Sequence, residues 1–299
     1  IGPWTELQVE TPRLGVDRDA RAVVIGMDHV TVRFGGLTAV NDLSMTVREH
    51  EIVGLIGPNG AGKTTTFNAI AGLNVPAAGT VSIYGYDVTR WTVDERARLG
   101  VGRTFQAIQL LPQLSVFENL LVATHSWNEA TLLSQLLVGR QSLDAERVSR
   151  RQVRLVAELL ELGGYLDRVT GDLPFGVLRM VELARALVTG ARLVMLDEPA
   201  SGLDSRETER LTELVRFVRD LGATILLIEH DVKMVTSVSD YMYVLDHGAL
   251  LAEGPPGQIQ RDPRVIAAYL GEEAVPVDTV DTLDAVEVEA VDAPEQVPA

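Results

Sequence analysis

At 299 residues, with 46% of them apolar, the chain is long enough for a full hydrophobic core in one compound domain or two ordinary ones. A formal net charge of -16 argues against sequence-independent binding of nucleic acid, which needs a basic footprint, and against electrostatic adhesion to anionic lipid. Cysteine is absent, which rules out disulfides and thiolate metal sites, and no apolar run approaches the roughly 18 residues of a membrane-spanning helix.

Residues 1–22 mix charges without periodicity and read as a linker or a fusion remnant, with no signal-peptide succession after Ile1. Apolar runs punctuated by turn residues over 23–32, 51–56 and 79–85 predict a β-rich region. Within it, Glu51-Ile52-Val53-Gly54-Leu55-Ile56 reads as a buried strand. It leads into Gly57-Pro58-Asn59-Gly60-Ala61-Gly62-Lys63-Thr64, which fits G-x-x-x-x-G-K-[ST], and then into a helix predicted over 63–73.

That spelling is a cradle for nucleotide phosphate. Glycines at 57, 60 and 62 let the backbone curl so that successive N–H groups converge on phosphate oxygens, where side chains would block the approach. Lys63 adds a compact positive charge for the β- and γ-phosphates, the Thr64 hydroxyl suits Mg²⁺, and Thr65 follows in the same first turn. The helix presents its positive end to the anion.

From 115 to 171 the pattern turns helical, with apolar Val148, Val153, Leu155, Val156, Leu159 and Leu160 against a charged face over 147–162. Leu193-Val194-Met195-Leu196 then reads as a strand that ends in Asp197-Glu198, two carboxylates at the carboxyl edge of a sheet, where ligands bind. Asp197 is the expected Mg²⁺ anchor, direct or through water, and Glu198 the candidate base that polarises an attacking water. A turn, Pro199 to Asp204, leads into a sheet-covering helix over 205–221, with Leu211, Leu214, Val215, Val218 and Leu221 at helical spacing. A second apolar strand, 223–228, closes on Glu229-His230-Asp231, which makes His230 a candidate for contacting the γ-phosphate. Beyond Gly271 acids recur without Lys or Arg, as in an acidic tail expected to be disordered.

In this order the residues resemble the ATP-binding cassette ATPases, over roughly 24–271. The resemblance implies an α/β fold of the P-loop NTPase class in cassette form: a RecA-like core sheet, a β-rich subdomain and a helical arm over about 107–175, within a cassette domain spanning 23–271 and followed by the tail at 272–299. In that family a phosphate loop, a glutamine loop, a signature, an Asp-Glu strand end, a D-loop and a switch histidine succeed one another. Here they match 57–64, Gln106, Leu173-Pro174-Phe175-Gly176-Val177, Asp197 with Glu198, Ser201-Gly202-Leu203-Asp204 and His230. The resemblance also implies that Phe34 stacks on adenine, and that Gln106 joins Thr64 and Asp197 at Mg²⁺. Gln106 would then report the phosphate state to 107–112, an apolar stretch that either meets a permease helix or packs into the arm.

Three stretches narrow the match to ATPases of branched-chain or hydrophobic amino acid importers: 32–40, Arg103-Thr104-Phe105-Gln106, and the carboxyl-terminal helix pattern of 262–271. Lipid or lipopolysaccharide exporters share much of the first two, and a poorly hydrolysing regulatory subunit is the other alternative. The implied cofactors are ATP and Mg²⁺. The implied partners are permease subunits and a second cassette ATPase, and the implied place is the cytoplasmic face of the plasma membrane, held peripherally through the permeases or fused to one.

One stretch departs from the family. Its signature is L-S-G-G-Q, or L-S-Y-G-Q in this subgroup, whereas Pro174 stands here for the serine and Val177 for the glutamine. Proline has neither hydroxyl nor N–H, so a donor to the opposing subunit's γ-phosphate is lost. Because each ATP of such a dimer lies between one subunit's phosphate loop and the other's signature, the departure favours a heterodimer whose more active site holds this chain's own phosphate loop.

Overall fold

The computed structural model describes residues 17–104, 108–125 and 140–270. The first part runs β1 (Val23–Phe34), β2 (Leu37–Arg48), β3 (Ile52–Ile56), α1 (Lys63–Ala71), β4 (Ala78–Ile83), β5 (Tyr86–Asp87), α2 (Val93–Arg98) and β6 (Val101–Arg103). Helices α3 (Val116–His125), α4 (Arg140–Leu159) and α5 (Phe175–Val188) follow. The rest is β7 (Leu193–Asp197), α6 (Ser205–Asp220), β8 (Thr224–Ile228), α7 (Val232–Val238), β9 (Tyr241–Asp246), β10 (Ala249–Gly254), α8 (Pro256–Ile259) and α9 (Pro263–Leu270).

These strands form an antiparallel sheet in the order β2-β1-β4-β5 and a second sheet in the order β10-β9-β3-β8-β7-β6. The second is parallel from β9 to β6, with β10 as its antiparallel edge. Its central strands read as unbroken apolar runs because both faces are covered. Val53, Leu55, Leu226, Ile228, Tyr243 and Leu245 point into one core, shared with α1 and the antiparallel sheet. Their alternates Ile52, Ile56, Ile225, Leu227, Met242 and Val244 point into the other, shared with helices α3 to α7. Gly54 lies on this second face, where an added Cβ would come within 2.4 Å of Val235 Cγ1 on α7. The strand needs glycine there because a helix passes so close.

Helix α1 stops at Ala71, short of the expected 73, because Gly72 turns left-handed at φ 88° and its N–H returns to Asn68 O. The expected helix over 147–162 begins earlier, at Arg140, and ends earlier, at Leu159. In the stretch expected as a linker, Arg18 lies over the Tyr241 ring and pairs with the buried carboxylate of Glu51 at 3.0 Å. Residues beyond Leu270 and before Asp17 lie outside the described part, as does the expected acidic tail.

Arg96 on α2 is a fully buried cation that donates to carbonyls: Ala69 and Ile70 at the end of α1, both at 2.6 Å, with Val88 at 2.6 Å, Trp91 at 3.2 Å and Thr89 at 3.4 Å. Burial pushes its pKa down to about 10, still charged at neutral pH. The guanidinium satisfies carbonyls at the negative end of the helix that begins at the glycine-rich loop. Replacing it with methionine keeps the length but leaves those acceptors unmet. We expect Arg96→Met to cost on the order of 3 kcal/mol, a fall in Tm of about 6–12 °C by thermal melting.

Candidate nucleotide-binding and hydrolysis site

Four adjacent parallel strands, β3, β8, β7 and β6, deliver their carboxyl ends to one edge of the sheet. Leu55 is in register with Ile228, Ile228 with Asp197, and Met195 with Arg103. The glycine-rich loop, Glu229 with His230, Asp197 with Glu198, and Thr104 therefore leave the sheet side by side.

The loop's shape explains its residues. Gly57 has φ 152°, and a Cβ there would lie 2.2 Å from Leu245 O. Gly62, at φ 97°, would put one 2.5 Å from Ala39 O. The β9–β10 turn braces the loop, since Gly248 N–H donates to Ala61 O at 3.0 Å and Asn41 N–H to Gly248 O at 2.7 Å. Lys63 is buried, and its Nζ donates to Gly57 O at 2.6 Å and Pro58 O at 2.8 Å, so the ammonium sits across the loop. Gly62 caps α1 without a side-chain hydrogen bond, which leaves the first-turn N–H groups facing outward for an anion. Thr64 is exposed in that turn.

Asp197 is buried and pairs with Arg103, Nη2 to Oδ2 at 3.2 Å, while its N–H donates to Thr104 Oγ1 at 3.3 Å. Burial pushes the Asp197 carboxyl above its usual range, against the pull of the Arg103 guanidinium. Glu198 follows with φ 46°, a left-handed backbone rare for a residue with a side chain, and of the kind found at functional sites. Its N–H donates to Ile228 O at 2.9 Å, and its carbonyl accepts from Ser201 N–H at 3.1 Å. His230 stands exposed at the end of β8 beside Glu229, which is wholly buried. Burial raises the Glu229 carboxyl, opposed by hydrogen bonds from Ala200 and His230 and by the charge of His230.

The signature-like residues lie elsewhere. Pro174 is the N-cap of α5 with no side-chain bond, and Phe175 is its half-exposed first residue. Phe175 rests on the D-loop, where a Cβ on Gly202 would meet its Cε1 at 2.9 Å, and Gly176 lies against α6, where a Cβ would meet Glu207 Oε1 at 2.0 Å. Asp204 caps α6 reciprocally with Glu207. Val177 packs against the helical core, which accounts for an apolar residue there. Phe34 is exposed at the β1–β2 turn, paired with Leu37 at the start of the strand that carries Ala39 to Gly62.

Gln106 lies outside the described residues, with Phe105 and Ala107. Further along, Gln109 N–H donates to Glu182 at 2.8 Å and its carbonyl accepts from Arg185 at 2.5 Å, both on α5. Of the following apolar stretch, Leu110 joins the core and Leu111 is exposed. Arg103 and Glu229 were not singled out from the sequence. Each occupies the last position of a strand or the first after it, the one local signal that could have found it.

Residues 40–201 match the family model described as ABC transporter, and 249–275 match one described as branched-chain amino acid ATP-binding cassette transporter. The high-affinity branched-chain amino acid transport ATP-binding protein LivG of Salmonella typhimurium is 42% identical over 250 residues, 83% of this chain and 98% of the relative. The chain belongs to the ATP-binding cassette transporter family. The corresponding protein BraF of Pseudomonas aeruginosa is 41% identical with the same coverage. Among solved structures, an ATP-binding cassette in its ADP conformation superposes with a TM-score of 0.74 at 29% identity, covering 84% of this chain and 99% of that one. The α/β cassette fold expected from the motifs is therefore the observed one, and the chain is an ATPase subunit of the kind that works with permeases. No described helix is long and apolar enough to cross a membrane.

Proposed function

We propose that the chain hydrolyses ATP to power uptake of branched-chain or other hydrophobic amino acids through permease subunits at the cytoplasmic face of the plasma membrane. The observation that carries this reading is the likeness to LivG along 98% of that protein's length, together with the match of 249–275 to the branched-chain carboxyl-terminal model. That second stretch contains α9, the helix expected from the sequence to mark the subgroup.

In this reading the loop amides, Lys63 and Thr65 hold the phosphates, and Phe34 stacks on the adenine. Glu198 orients a water in line with the γ-phosphate, and His230 contacts that phosphate from the neighbouring strand. Among the described residues no group of three or more His, Asp or Glu could hold a metal alone. The donor set suits an ion that arrives with the nucleotide: one exposed hydroxyl, Thr64, one buried carboxylate, Asp197, and the amide of Gln106, with phosphate oxygens and water completing the shell. Mg²⁺ bound there would neutralise charge on the β- and γ-phosphates. A second, different cassette ATPase supplies the intact signature, and the exposure of Leu111 supports a contact of this stretch with a permease helix.

Reconstitution of the chain with its cognate permeases, binding protein and partner ATPase in vesicles tests the cargo. ATP-dependent accumulation of radiolabelled leucine, isoleucine or valine is expected. Stimulation by lipid or lipopolysaccharide, without amino acid uptake, would replace the importer reading with an exporter.

A further inference from the structure

Glu229 has no exposed surface, yet it carries a carboxylate one residue from the candidate switch histidine. Both of its oxygens are engaged. Oε1 accepts the Ala200 N–H at 2.7 Å, and Oε2 accepts the His230 N–H at 3.1 Å. The Nδ1 of His230 lies 3.5 Å from the same Oε2. One buried side chain thus spans two loops: the turn that follows Glu198 and the strand end that carries His230.

The turn is tied to that strand at a second point. Glu198 N–H reaches Ile228 O, and within the turn Ser201 N–H reaches Glu198 O and Leu203 N–H reaches Ala200 O. Glu198 holds a left-handed backbone at φ 46°, and such a conformation persists only where neighbouring contacts over-determine it. The Ala200–Glu229 bond adds to the backbone ties of Glu198, two residues beyond the strained position. It also fixes how far the Glu198 turn stands from His230.

We propose that Glu229 is a positioning residue for ATP hydrolysis: its carboxylate clamps the Glu198–Ser201 turn and the His230 backbone at one separation, so that the water-orienting carboxylate and the imidazole meet the γ-phosphate together. This rests on the roles read above for Glu198 and His230. Glu229 is wholly buried and its two oxygens are taken up by backbone N–H groups, so removing the clamp should slow chemistry without weakening nucleotide binding, the role read above for the loop and Lys63.

Glu229→Gln is the direct test, made in the purified transporter complex that contains this chain. Glutamine keeps one acceptor for Ala200 but turns an amide N–H₂ against the His230 N–H, so one half of the clamp opens. The expected result is a fall in kcat of about tenfold or more, with KM for ATP and the Kd for trinitrophenyl-ATP within about twofold of the parent. In a Glu198→Gln background the same change should slow turnover no further, since it acts through the Glu198 turn. A parental kcat in E229Q, or a loss shared equally by kcat and nucleotide affinity, overturns the proposal, as does an additive loss in the double variant. Should E229Q fail to fold, Glu229→Asp carries the test. It keeps both acceptors on a shorter arm, and positioning again predicts reduced kcat at unchanged KM, with a parental kcat counting against it. Glu198→Gln alone separates the two levels of argument. A parental rate there removes the site reading and this proposal with it, whereas an inactive E198Q beside a parental E229Q removes only the proposal.

Discussion

Glu198→Gln is expected to lower ATP turnover by about 10²–10³, or ~2.7–4 kcal/mol in the barrier, while ATP still binds. The substitution is nearly isosteric, so it leaves in place the backbone ties of residue 198, N–H to Ile228 O and carbonyl to Ser201 N–H. It also leaves in place the ties that brace the phosphate cradle, from Lys63 to Gly57 O and Pro58 O and from the β9–β10 turn to Ala61 O. What it removes is the negative charge and basicity needed to polarise a water at the strand end beside Asp197. The variant should therefore trap ATP. Phosphate release measured beside trinitrophenyl-ATP binding checks both halves of this expectation. A variant with parental phosphate release would remove Glu198 as the essential base, and one that lost binding as well would point to damage in the turn.

The phosphate loop was legible from sequence because backbone geometry dictates its residue types: Gly57 and Gly62 stand where a Cβ would strike Leu245 O and Ala39 O. The central strands were legible because burial on both faces demands unbroken apolar runs, and 193–197 and 224–228 are such runs. Contacts made across the fold were not legible. Arg103 meets Asp197 94 residues away, and Ala200 meets Glu229 29 residues away, and a position at a strand end does not by itself name such a partner. Nothing in the spelling Asp94-Glu95-Arg96-Ala97-Arg98 sets Arg96 apart from its charged neighbours, yet it is buried among carbonyls of α1 and of the segment before α2. The early start of α4 escaped for another reason: Arg140 to Ala145 carries no apolar period, so the periodicity that announced the rest of the helix is missing there.

In a complex with a second cassette ATPase, Lys63→Ala is expected to reduce turnover by about 10²–10³. Two losses combine. The charge proposed for the β- and γ-phosphates disappears, and so do the ties from Nζ to Gly57 O and Pro58 O that brace the loop, so nucleotide affinity should fall along with kcat. The size of the effect in the mixed complex is what distinguishes the proposed arrangement. If this chain's loop faces the partner's intact signature, it serves the productive site, and its loss cannot be made good by the partner's loop facing Pro174. That residue caps α5 without any side-chain hydrogen bond and offers no hydroxyl to a phosphate, while Val177 is turned into the helical core. The corresponding lysine change in the partner should accordingly cost much less, and Pro174→Ser should raise turnover mainly when this chain is assayed without its partner. If Lys63→Ala left turnover of the mixed complex intact, the altered signature would lie across the active site rather than the idle one, and the heterodimer arrangement argued from it would be reversed.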